Sequence, residues 1–517
     1  MSGISENVPD DYLRLEDVRG YISGEKEYEL SDYQLERSSG SFGFLREFSK
    51  NKVIYGINTG FGPMAQYRVG DEHLRDLQYN LIRSHANGTG DFLSPTATKI
   101  IMICRLNTLA LGFSGTSPDV LVTLASYIRH GVYPLIPQHG GVGASGDLVQ
   151  LAHLALGLIG EGWAYFNNEK MPIAEALQAA AIQPAILQLR DGLSLINGTS
   201  CMSGLAAINL IHASTLLHFS ILASSVMNEL TASYTDSFSE ELNGVKLHPG
   251  QQFVAKKMRE FLADGKVLKN RKDHLFNEEV IDGQEYFSEK VQEYYSLRCV
   301  PQIIGPIYDT FLTARKIVED EINSANDNPI VCVDTANVYH GGNFHGDYVS
   351  LEMDKLKIAV TKLSMLMERQ INYLMNDRLN NKFPAFLNMG KLGFNFGLQG
   401  MQFTAVSTTA ENQSLSTPVY VHSIPNNGDN QDIVSMGTNS ALMADRVITN
   451  TFEVLSVQLV AIAQAIDIDQ SYERLSTASR GLYDFVREEV EVIKEDKPHY
   501  EGLARLKAKL LQSKEGL

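Results

Sequence analysis

The segment GGVGASGDL at 140–148 holds four glycines, one alanine and one serine, and no obvious base or metal ligand. Its residue types permit a chemistry made from the backbone itself. The amide nitrogen of Gly146 can attack the carbonyl of Ala144 and close a five-membered ring across Ser145. Loss of two waters then leaves an exocyclic methylene, a strong electrophile. Each residue type is required. Gly146 lacks a Cβ, so its nitrogen can approach closely. Ala144 is small. Ser145 supplies the β-hydroxyl that leaves. Gly140, Gly141 and Gly143 let the backbone take the strained geometry that collects at functional sites. A helix starting directly downstream would set its positive end against the ring's developing negative charge.

Other chemistries fit less well. His73, His85, His139, His153, His340, His345 and His422 show no H-x-x-x-H on a predicted helix, and His340 and His345 make only a weak pair across GGNF. Cys104, Cys201, Cys299 and Cys332 are scattered singly, without C-x-x-C, as expected in a reducing compartment. No metal is expected. The glycine run lacks G-K-[ST], the G-x-G-x-x-G register and a βαβ context, so no nucleotide is expected. Gly143 and Gly146 are too close together for the G-x-S-x-G elbow of a serine hydrolase.

Composition narrows the class. Hydrophobic content of 44% and charged content of 20% describe a globular protein, and a net charge of -17 argues against nucleic-acid binding. The first residues, MSGISENVPDDYLRLEDV, lack the basic and apolar regions of a signal peptide. No run is expected to approach the roughly 18 apolar residues of a membrane span. The expectation is a cytoplasmic enzyme with no membrane partner.

The elements that must position this loop are mostly helices. Three- and four-residue apolar spacing predicts helices over 74–85, 97–112, 202–230, 305–322, 351–379 and 442–468. Asp147 reads as the N-cap of a helix through LVQLAHLALGLIGEG, stopped at Gly160 and Gly162. Strand signals are short, at 132–137 and 329–333. The fold class is mainly α, a long-helix bundle. The charged stretch 265–290 reads as a surface excursion. Seven Gly/Asn-rich loops separate the helices: YGINTGFG, GGVGASGDL, INGTS, YYSLRCVPQ, NSANDNP, GGNFHGD and IPNNGDNQD. Loops on a rigid scaffold usually carry function, so these point to one composite site.

The Ala144-Ser145-Gly146 triad and these loops, in this order, resemble the aromatic amino acid ammonia-lyases and aminomutases over about residues 20 to 480. The chain looks especially similar to bacterial tyrosine ammonia-lyases. The resemblance implies a prosthetic 4-methylideneimidazol-5-one (MIO) built from the triad, and no metal or nucleotide. It implies a mostly helical homotetramer whose active sites draw loops from three subunits. It divides the chain into an MIO-bearing, loop-rich domain at 1–200 and a helical-bundle domain at 201–517. The substrate implied is a small aromatic L-amino acid, which loses ammonia to give an aryl acrylate.

The resemblance also assigns roles. Tyr55 matches the base that takes the β-proton, with Gly60 and Gly62 letting its loop fold as a lid. Arg298 matches the substrate-carboxylate clamp, a fork that Lys cannot reproduce. Tyr295 matches the tyrosine near the MIO and the amine. It lies three residues before Arg298, so one helical turn would place both on a face, and Gln292 extends that spacing. Asn197 matches the residue on the MIO oxygen or the carboxylate, and Phe344 the aromatic beside the MIO. Asn326 to Pro329 reads as a supporting turn, and Glu411 as structural support.

Two positions bear on the substrate. Ser84-His85 matches the ring-recognition pair, where phenylalanine-specific members carry apolar residues. An imidazole there suits a phenol, although histidine-specific members also carry Ser-His. Gln431 stands where those members place a glutamate, and Asn427 and Asn430 flank it. Tyrosine, giving 4-hydroxycinnamate, is therefore preferred over histidine. A tyrosine 2,3-aminomutase is the rival within the family, and a silent relative keeping only the fold is the rival outside catalysis.

Overall fold

The computed structural model describes residues 11–277, 283, 285–287 and 289–517. The residues read for a leader fall partly outside these, as do 278–282, 284 and 288 of the charged excursion.

Apolar periodicity located the helices well. The first expected helix is Leu74–His85. The second is Pro95–Ala110, starting earlier than its apolar run because the Ser94 hydroxyl accepts from the Ala97 amide and Pro95 takes the first helical position. The long ones are Ser200–Leu230, Val300–Ile322, Asp347–Met375 and Gly437–Asp469. Three of them open on polar first turns with little apolar signal, and the fourth opens on Val300-Pro301-Gln302, so the sequence set each start too late.

The N-cap expectation for Asp147 needs correction. Asp147 does precede the helix Leu148–Leu158, but its side chain makes no bond to that helix. It turns instead to the Met202 amide, 2.8 Å away, in the first turn of Ser200–Leu230. The expected strand over 132–137 is also two strands in two sheets. Tyr133–Pro134 pairs with Trp163–Phe166, and Pro137–His139 pairs with Thr89–Phe92, all antiparallel. Trp163–Phe166 continues into Glu169–Pro172 through Asn167 and Asn168, both with positive φ (50° and 64°), a hairpin turn that asparagine tolerates. The expected strand over 329–333 is Ile330–Cys332, paired with Asn337–Tyr339.

The absence of any span-like run is likewise corrected. Ser200–Leu230 and Gly437–Asp469 are long and apolar enough, by length and composition, to cross a membrane. Their apolar windows are 89% and 83% buried inside the protein, as the central helices of a core are.

The chain divides into two compact units. The first takes Met1–Leu210, Ala314–Asp354 and Pro418–Asp445, and the second takes Ile211–Thr313, Lys355–Thr417 and Arg446–Leu517. A single cut near 200 would be continuous in the chain, whereas these units are not: two later stretches join the N-terminal part. The first unit is built on Pro95–Ala110, buried almost along its whole length, and holds the three small sheets. The second is helical, with a buried polar contact at its centre. There Gln370 bonds Ser224 at 3.1 Å and Gln458 at 2.5 Å, joining three helices. Such a network fixes which helix faces meet.

Candidate active site

Six loops and one helix of the first unit enclose a cavity of about 500 Å³. Six of the seven loops singled out in the sequence contribute to it. Tyr55, Gly62, Ser84, His85, Ser145, Asn197, Phe344, Asn427, Asn430 and Gln431 all line its wall. Ala144 and Gly146 are buried on either side of Ser145.

The glycine loop is held in a conformation that larger residues could not share. Gly143 and Gly146 have φ of +74° and +68°. A Cβ on Gly146 would collide with the Gly198 carbonyl, and one on Gly143 with the Ser435 hydroxyl. Three donors tie the loop down. The Asp147 amide bonds the Gly198 carbonyl at 2.8 Å, the Gly346 amide bonds the Gly143 carbonyl at 3.2 Å, and the Met436 amide bonds the Val142 carbonyl at 2.9 Å. The Ser435 hydroxyl also donates to the Gly143 carbonyl, at 2.9 Å.

Asp147 anchors this arrangement. Its buried carboxylate accepts from the Met202 amide and, at 2.5 Å, from the Thr438 hydroxyl. Burial pushes its pKa up to about 6, against the pull of these two donors. From the residue preceding Leu148–Leu158, one side chain thus joins the starts of Ser200–Leu230 and Gly437–Asp469. Helix starts carry positive partial charge, which favours an anion nearby.

Ser145 is gripped from two sides. The Asn197 side-chain amide donates to its carbonyl at 3.3 Å, and the Gln431 side-chain amide donates to its hydroxyl at 3.0 Å. The Asn197 side-chain oxygen is buried without a hydrogen-bond partner among the described residues. Buried acceptors are rarely left so, and this one is available to a ligand donor. The small, tightly held triad and this orphaned acceptor fit the MIO group that the residue types suggest.

Tyr55 stands at the opposite wall. Its hydroxyl accepts from the Gly62 amide at 3.1 Å, and its ring meets Phe61 edge-on, centroids 6.1 Å apart. Gln78, which the sequence did not single out, fixes the base of this loop. Its side chain donates to the Gly56 carbonyl and accepts from the Leu193 amide, both at 3.1 Å.

The helix Leu74–His85 turns Leu77, Asn80, Leu81 and Ser84 toward the cavity, at three- and four-residue spacing. Its last residue is His85, which the sequence leads us to expect against the substrate ring. His85 Nδ1 lies 2.9 Å from the Leu81 carbonyl oxygen. The Ser84 hydroxyl lies 3.0 Å from the same nitrogen; with the proton on Nδ1 the ring donates to the carbonyl and leaves Nε2 as its acceptor.

Three predicted residues, Gln292, Tyr295 and Arg298, lie in the second unit. Tyr295–Arg298 is a single helical turn there, with the guanidinium 4.8 Å from the Tyr295 ring centroid. Gln292 and Tyr295 line a cavity of about 770 Å³, and Arg298 shares a smaller one with Gln292. Arg298 Nε is buried without a partner among the described residues. Glu411 forms a 3.0 Å ion pair with Arg446. Asn328 lines the main cavity, and Asp327 beside it makes a buried two-bond pair with Arg190 at 3.0 Å. Among the described residues, no cluster of three or more His, Cys, Asp or Glu could hold a metal ion.

Residues 13–488 match the family model for aromatic amino acid lyases. The chain is 37% identical to a tyrosine 2,3-aminomutase of Chondromyces crocatus, covering 96% of this chain and 94% of that protein. It is 38% identical to a tyrosine ammonia-lyase of Cupriavidus metallidurans (91% and 89% covered) and 36% identical to a histidine ammonia-lyase of Stigmatella aurantiaca (97% and 95%). The crystal structure of a tyrosine aminomutase from Streptomyces globisporus superposes with a TM-score of 0.92 at 34% identity, covering 97% and 95% of the two chains.

Proposed function

The chain belongs to the aromatic amino acid lyase family, and from that premise we propose that it eliminates ammonia from L-tyrosine to give trans-4-hydroxycinnamate. The MIO group that Ala144, Ser145 and Gly146 would form supplies an electrophilic methylene for the substrate amine. The chain's own side chains do the rest. Tyr55 removes the β-proton, whose electron pair becomes the new double bond as the Cα–N bond breaks. Asn197 and Gln431 hold the Ser145 segment. Phe344 and the Leu77–Leu81 face exclude water from the ring.

One observation carries the choice of tyrosine. His85 lines the cavity with Nδ1 against the Leu81 carbonyl, and with the proton on Nδ1 its Nε2 would accept from a phenol O–H. Burying that hydroxyl without a partner would cost about 1–3 kcal/mol. Gln431 is neutral, so it offers no carboxylate to an imidazole substrate.

Arg298 and Tyr295 complete the site from another copy. Among the described residues, the cavity of the first unit has no Lys or Arg on its wall to hold a carboxylate, and Arg298 Nε has no partner. A homotetramer with shared sites supplies it. The relatives named tyrosine 2,3-aminomutase favour a second reading, in which the acrylate is retained and ammonia re-adds at Cβ. Product analysis from L-tyrosine separates the two. Free 4-hydroxycinnamate supports the lyase, and β-tyrosine as main product overturns it.

A further inference from the structure

We propose that Arg105 is a positioning residue of this site, acting through Asn197; the inference rests on the lyase reading above. Arg105 lies near the middle of Pro95–Ala110, on an otherwise apolar stretch, and is fully buried. Its fork reaches the loop that carries Asn197 from beneath. Nη2 donates to the Asn197 carbonyl at 2.8 Å and to the Ser194 carbonyl. Nη1 donates to the Asn326 side-chain oxygen at 3.1 Å and to the Ser200 hydroxyl at 3.5 Å. Asn197 in turn donates from its side chain to the Ser145 carbonyl.

The contact reaches both edges of the loop. Ser194 and Asn197 end the short helix Asp191–Ile196, and Ser200 starts Ser200–Leu230. Between them Gly198 passes so close that a Cβ would collide with Arg105 Nη1. The guanidinium's hydrogen bonds go to neutral acceptors, and Asp327 and Asp147 act on it only through charge. That is costly as a stabilising device, because a buried charge without an ion partner pays desolvation. Burial accordingly pulls its pKa down to about 10. A planar fork that spans two carbonyls and two side chains does what a point charge cannot: it fixes the angle as well as the distance of the loop. Small displacements of a positioned group can cost on the order of 100-fold in rate.

The test is Arg105→Lys in the full-length oligomeric enzyme, with rates normalised to protein whose intact mass shows the loss of two waters. The expected result is a kcat lower by about 100-fold with KM within about threefold. Amide exchange should quicken in 194–200 and stay unchanged in 211–230. Arg105→Lys added to Asn197→Ala should be no worse than Asn197→Ala alone, since residues acting as a unit are not additive. An unchanged kcat, or full additivity in the double variant, overturns the proposal. If Arg105→Lys does not fold, Asn326→Ala carries the test, because it removes one acceptor of the fork and leaves the guanidinium in place. It should lower kcat by about tenfold at constant KM, and an unchanged kcat again overturns the role. A wild type that turns over no aromatic amino acid would instead defeat the lyase reading itself, and Arg105's role with it.

Discussion

His85 offers the sharpest test at the scale of single residues. Its Nδ1 lies against the Leu81 carbonyl and the Ser84 hydroxyl, which leaves Nε2 as the nitrogen proposed to read the substrate. His85→Leu should lower kcat/KM for tyrosine relative to phenylalanine by roughly 5- to 150-fold, the equivalent of one unpaired phenol at about 1–3 kcal/mol. An unchanged ratio would remove the imidazole from ring recognition. Ser145→Ala should abolish both turnover and the two-water mass loss, since no leaving hydroxyl remains. These residues were legible because their types are demanding: a methylene needs a serine, and a close backbone approach needs glycine. Arg105 and Gln78 were not legible. Their bonds go to backbone carbonyls and amides distant in sequence, and a single polar residue on an apolar helix carries no pattern that says which carbonyl it meets.

Elements show a similar division. Long helices were found from apolar spacing, because one face of each enters a core. The strand expected over 132–137 was misjudged, whereas that over 329–333 was found; two- to four-residue strands have too few positions to show a period. Asp147 shows why a local rule can fail. Sequence placed it at a helix start, but its carboxylate serves the start of Ser200–Leu230, which is brought beside it by tertiary structure. That placement has a consequence for stability. The folded carboxyl titrates at about 6, against an ordinary 3.8. Between those values the folded protein binds the proton more tightly than the unfolded chain does. This contribution to stability is therefore fully present below about pH 4 and is lost as pH rises through 6, by on the order of 3 kcal/mol. Asp147→Asn keeps an acceptor for the Met202 amide and cannot titrate. Its melting temperature should depend less on pH between 4 and 6 than that of the parent. Equal slopes in differential scanning calorimetry would contradict this.

Across the whole molecule, the division into two units separates the residues that resemblance brought together. Ser145, Tyr55 and His85 lie in the first unit, and Tyr295 and Arg298 in the second. No sequence pattern tells whether such loops meet within one chain or between copies. Subunit complementation does. Ser145→Ala and Arg298→Ala should each be inactive, yet co-expression should restore turnover in mixed oligomers, because some sites then draw an intact Ser145 and an intact Arg298 from different copies. Mixed oligomers that stay inactive would contradict site sharing. The central claim is chemical, and it is tested most directly by presenting purified enzyme with L-tyrosine, L-histidine and L-phenylalanine in parallel and following the conjugated acrylates by ultraviolet absorbance. The account predicts 4-hydroxycinnamate from tyrosine at the highest kcat/KM. Faster formation of urocanate from histidine would contradict the reading of His85 and Gln431, and no acrylate from any of the three would contradict the lyase itself.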